Sequence, residues 1–115
     1  MKLDQTRRVI HEGVDQADPV TGLIQVLEAA VELVDIPDND FAWSSWQSAH
    51  DARSELEGLI NRIKGGNLPE RLDVSVLFAP TGPLQEVSLS SGWADSFLKV
   101  AERFDSLERK IWTKG

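Results

Sequence analysis

Between residues 22 and 36, ten side chains are apolar: Leu23, Ile24, Val26, Leu27, Ala29, Ala30, Val31, Leu33, Val34 and Ile36. The four charged or amide side chains, Gln25, Glu28, Glu32 and Asp35, recur at spacings of three, four and three. That spacing collects them on one narrow stripe of a helix and leaves the rest of the cylinder apolar. A helix of this kind must be covered on most sides, so the remaining chain has to fold around it. Pro37 ends it, because proline disfavours helical geometry in the residue before it.

Four breaks in the sequence divide the rest into segments of helical length: Asp18-Pro19, Pro37 to Asp40, Gly65-Gly66, and Ala79-Pro80-Thr81-Gly82-Pro83. Residues 3–16 read as a weak helix that Asp4 can cap and that Gly13 weakens. Residues 45–64 read as a helix opened by a Ser44–Gln47 capping box and closed by the glycine pair. Residues 94–112 read as a helix with Phe97, Val100, Ala101, Phe104, Leu107 and Ile111 on one face. Asp95 at its start and Arg109, Lys110 and Lys114 at its end suit the helix dipole.

Residues 68–91 allow two readings. An Asn67–Glu70 capping box and Pro69 predict a helix over 68–79, and Pro83 with Gly92 predicts a second over 83–91. Against this, Leu72, Val74, Val76 and Phe78 alternate as a strand would, as do Val87 and Leu89. The fold class is therefore read as all-α, a single domain over 1–115 with five or six helices. An α+β arrangement with a β-hairpin at about 72–90 is the alternative. The predicted core is Leu23, Leu27, Val31, Val34, Trp46, Leu56, Ile60, Ile63, Phe97, Ala101 and Phe104.

Composition excludes several classes. The chain has 115 residues and no cysteine, so it has neither disulfides nor thiol chemistry. No apolar run approaches the ~18 residues of a membrane span, and no apolar signal core follows Met1, so the expected location is the cytoplasm. The net charge is -7, and residues 1–40 carry nine acids against three bases while residues 93–115 carry four against five. Such a balance disfavours nucleic acid and anionic lipid and favours a basic protein partner, expected on the surface of residues 1–40 with Asp15, Asp18, Asp38 and Asp40 steering it.

The phosphate-binding, nucleophile-elbow and zinc-protease motifs are absent. His11 and His50 read as surface residues. Asp38-Asn39-Asp40 begins like a calcium loop, but Ala42 and Trp43 stand where a ligand and the turn glycine belong, so it reads as a polar turn. Glu28, Glu32 and Asp35 read first as a solvated stripe, the wet edge of a mostly buried helix, and with Asp51 and Glu55 from the next helix they are also a carboxylate set that could hold magnesium. Two functions follow. The favoured one is a non-catalytic protein-binding or regulatory domain, of the toxin-neutralising or enzyme-regulating type and without a cofactor. Its candidate binding residues are Trp43, Trp93, Asp38, Asp40, Thr81 and Glu86, chosen as aromatic or acidic residues at turns and beside the stiff Pro-Thr-Gly-Pro corner. The alternative is a small all-helical magnesium-dependent enzyme that splits nucleoside triphosphates to monophosphate and pyrophosphate. For that reading the carboxylate stripe has to meet acids of a second helix.

Overall fold

A computed structural model describes residues 3–112. Six α-helices follow one another: α1 (Asp4–Glu12), α2 (Pro19–Val34), α3 (Ala49–Lys64), α4 (Arg71–Phe78), α5 (Pro83–Ser91) and α6 (Ala94–Trp112). No strand occurs among the described residues. The radius of gyration of 13.2 Å matches the roughly 13 Å expected of a compact chain of this length. None of the helices is long and apolar enough to cross a membrane.

Helix α2 is the centre, as its near-continuous apolar surface requires. It packs against α1, α3, α5 and α6, while α3 touches no other helix. Its start lies at Pro19, earlier than the apolar run suggests, because Asp18 caps it and proline fits the first turn. The Asp18 carboxylate accepts from the Thr21 N–H at 3.3 Å and the Thr21 hydroxyl at 2.8 Å, which holds its pKa below the ordinary aspartate value. Gly22 is buried in this first turn. A Cβ there would meet the Asp15 carbonyl oxygen at 2.7 Å and a Leu107 methyl at 2.9 Å, so only glycine lets α6 approach so closely.

The polar stripe of α2 is where α1 docks, and it supplies the cap that α1 lacks. Leu3 precedes α1 and makes no side-chain cap, and Asp4 lies inside the first turn. Instead Glu32 reaches across: one carboxylate oxygen accepts from the Thr6 N–H at 2.7 Å and the Thr6 hydroxyl at 2.8 Å, the other from the Gln5 N–H at 3.0 Å. Glu28 accepts from the Gln5 side-chain amide at 2.9 Å. At the other end of α1, the Arg103 guanidinium donates to the Val9 and Ile10 carbonyls at 3.0 and 2.9 Å. An anion at the helix N-terminus and a cation at its C-terminus both oppose the macrodipole. A short helix of nine residues is thus held at both ends by its neighbours.

Two capping boxes expected from the sequence are not formed. Helix α3 begins at Ala49, with Ser48 accepting from the Asp51 N–H and Asp51 accepting from the Gln47 N–H, so the N-cap is Ser48 rather than Ser44. Helix α4 begins at Arg71, not 68. Glu70 is extended and makes no cap, Pro69 is buried, and the Pro69 carbonyl accepts from the Trp112 indole at 3.3 Å. The glycine pair does close α3, with Gly66 at φ 90° and the Gly66 and Asn67 N–H groups bonded to the Ile63 and Arg62 carbonyls. Gly92 ends α5 in the same left-handed region at φ 88°. Helix α6 ends with Arg109 and Lys110 in its last turn, and Lys114 lies outside the described residues.

The core contains every predicted member except Val31 and Ala101, which are half-buried and pack against it. Among the described residues, no buried side-chain nitrogen or oxygen lacks a hydrogen-bond partner.

Candidate functional site

The hairpin alternative fails for a reason that exposes a surface. A strand would place Leu72, Val74, Val76 and Phe78 on one side. Helix α4 separates them: Val74, Leu77 and Phe78 are buried, while Leu72 and Val76 are 77% and 52% exposed. The alternation in sequence is therefore the trace of a helix with two apolar faces, one of them in water.

Helix α4, the 79–83 corner and the first turn of α5 form one wall of a groove of about 460 Å³, and α6 forms the other. Its floor is aromatic. Phe78 stacks on Phe104 with ring centroids 4.7 Å apart, and Phe97 lies beside them. Ser75, Ala79, Pro80 and Gln85 line the first wall; Leu98 and Ala101, with Glu102, Asp105 and Glu108, line the second. Leu98 is 51% exposed. The corner is tight because Gly82 sits against the end of α4, where a Cβ would collide with the Val76 carbonyl oxygen.

The three acids recur every third residue along α6, which carries them as a row down one wall. Glu108 is bound by Arg71 across the groove at 2.7 Å. The Asp105 carboxyl has its pKa raised, first by partial burial and then by the Glu108 charge. An apolar floor beside a carboxylate row with one bridging guanidinium suits a ligand that is both apolar and cationic.

The candidate binding residues gather around α5, beside this groove. Asp40 and Asn39 reach the α5–α6 corner: the Asp40 N–H donates to the Ser91 hydroxyl at 2.8 Å, and Asn39 accepts from the Trp93 indole at 2.8 Å. Asp38 holds a left-handed φ of 68°, and the Asp40 carboxylate accepts from the Ala42 N–H, so this is the polar turn its composition suggests. Trp43 is 76% exposed, on a loop tied to the start of α5 by the Ser44 hydroxyl, which donates to the Pro83 carbonyl. Thr81 is exposed on the corner and Glu86 is half-buried. Trp93 does not join a surface patch. It is 8% exposed and its one polar atom is bonded to Asn39, so it is a core residue.

The carboxylates of the metal reading go separate ways. Glu28 and Glu32 bind α1, Asp35 pairs with Arg53 at 3.5 Å, and Glu55 accepts from the Trp46 indole at 3.0 Å. A second, smaller groove between α2 and α3 has Glu28, Glu57 and Lys64 on its walls. No group of three or more His, Cys, Asp or Glu side chains among the described residues is placed to share a metal ion. His11 and His50 are exposed.

Sequence reasoning missed the α4–α6 groove. Its signals were the unresolved helix-or-strand pattern at 72–78 and the acid row at 102, 105 and 108, which the net positive charge of the last segment concealed. Comparison of the chain with protein-family models, with curated proteins and with solved structures finds no match.

Proposed function

We propose that this is a non-catalytic protein-binding domain, of the toxin-neutralising or enzyme-regulating type, whose recognition surface is the α4–α6 groove and whose partner is a positively charged protein. The observation that carries this reading is a groove in which Leu98, Pro80 and Ala101 reach solvent over a buried aromatic floor, alongside Glu102, Asp105 and Glu108. The acids give that partner a sign. A composition without cysteine fits a reducing compartment, and the proposal places the protein inside the cell.

The test is quantitative affinity capture from the native host with the parent chain and with Leu98→Asp, read by mass spectrometry. Leu98 is half-exposed, so the variant keeps its fold, which circular dichroism checks. The expected result is a basic protein retained by the parent in low salt, released as ionic strength rises, and lost from the variant. Identical capture by both chains refutes the groove as the recognition surface.

A further inference from the structure

We infer that the occupant of the groove is an amphipathic α-helix of about three turns, apolar on the face it buries and bearing Lys or Arg along the flank that meets α6. The inference rests on the reading of the groove as the recognition surface and adds the form of what enters it.

The walls exclude a strand as the docking mode. Both are helices, whose backbone groups are bonded within themselves, and no strand edge exists among the described residues. An entering chain finds side chains here but no row of backbone donors and acceptors to pair with. Desolvated backbone without partners is costly. A helix brings its own hydrogen bonds, which is the basis of helix-in-groove recognition.

The length of the α6 wall agrees. From Phe97 to Glu108 the α6 wall runs about 16 Å at 1.5 Å per residue, which is three helical turns. Glu102, Asp105 and Glu108 follow one another at about 4.5 Å along the axis. Cations at i, i+3 or i+4, and i+7 of a helix laid alongside recur at nearly the same interval. The occupant's apolar residues then meet Leu98 and Ala101 on the α6 side and Pro80 on the other, over the buried rings of Phe78 and Phe97. A second copy of this chain would bring a net charge of -7 to an acidic wall, so the charge argues for a different protein.

The probe is a display library of random 16-residue peptides, panned on the full chain and counter-selected on Leu98→Asp. Ser75→Arg, which fills the groove from its other wall, serves as a second counter-target if Leu98→Asp loses its fold. The expected winners carry apolar residues at helical spacing with Lys or Arg on one flank. A proline at the centre of a winner should weaken it by at least about 100-fold, as a helix-breaking cost of about 3 kcal/mol requires. Glu102→Lys should weaken the same peptide by about tenfold, with recovery when the facing lysine is changed to Glu. Winners that lose binding to Leu98→Asp but tolerate the proline overturn the helix and leave the groove standing. No enrichment, or winners that bind both counter-targets as tightly as the parent, overturns the groove reading and the helix with it.

Discussion

Glu32→Gln separates the two roles available to the carboxylate stripe, because they predict opposite signs. In the structure Glu32 caps α1, with one oxygen accepting from the Thr6 N–H and hydroxyl and the other from the Gln5 N–H. Glutamine keeps one acceptor and turns an NH2 toward the second donor. The change removes one hydrogen bond to a charged group, worth about 1.5–3 kcal/mol when unreplaced, and the interaction with the helix dipole, about 0.3–1 kcal/mol. Water reaches this half-buried site and recovers part of the loss. We expect about 1.5–2 kcal/mol of destabilisation for Gln and about 2–3 kcal/mol for Ala, the upper part of the range for lost N-caps. In a chain of 115 residues each kcal/mol lowers Tm by about 4 °C. Urea unfolding followed by circular dichroism should show a lower midpoint at unchanged slope. Amide exchange at Gln5 and Thr6 should quicken first, since α1 opens before the α2–α3 core does. In a solvated stripe or a metal cluster, Glu28 and Glu32 would instead be like charges four residues apart. Removing one would then stabilise the metal-free chain by a few tenths of a kcal/mol. A Glu32→Gln variant as stable as the parent, or more stable, refutes the capping argument.

Two further perturbations test the groove walls. Burial and Glu108 raise the Asp105 pKa in the folded chain, so its ionised form is disfavoured there relative to the unfolded chain. The penalty is complete above the folded pKa, shrinks as pH falls through it, and is gone below the ordinary aspartate value. Asp105→Asn should therefore raise Tm at pH 7 and leave it unchanged in acid, which differential scanning calorimetry across pH will show. Gly82→Ala forces the α4–α5 corner apart at the Val76 carbonyl and should cost about 1–3 kcal/mol, as overpacking does, measured as a shift in urea midpoint.

The parts of the fold that were legible in the sequence are those set by local chemistry. The α2 run, the Gly65-Gly66 and Gly92 terminations, and nine of the eleven core positions are readable because periodicity and chirality fix them. Other features are decided by residues far apart in the chain. Asp4 is a plausible cap by composition, but the cap of α1 is Glu32, almost thirty residues away. Ser44 and Ser48 both stand near a helix start, and Ser48 is the one used. The Trp46 indole, bonded to Glu55, keeps the preceding residues out of the helix. Trp93 is as plausible on a surface as in a core until Asn39 is seen to reach its indole. The groove combined both difficulties, since an exposed apolar pair on α4 imitates a strand and the groove itself needs two helices.

Charge counted along the sequence and charge placed at the groove diverge in this chain for a specific reason. Residues 1–40 hold most of the net negative charge, but none of their acids lines the groove. The last segment counts as slightly positive, but two of its cations are engaged away from the groove, and Arg109 is the one whose charge acts on Asp105. Arg103 holds the α1 carbonyls, and Lys110 donates to the Gln16 side chain at 2.6 Å. Glu102 and Asp105 are left along the groove without a salt bridge among the described residues. The attraction a partner would feel thus comes from the segment whose summed charge points the other way. Association carried by this wall should accordingly be more sensitive to Glu102 and Asp105, which line the groove, than to the four acids at 15, 18, 38 and 40, which do not, because the field of an exposed charge is screened with distance.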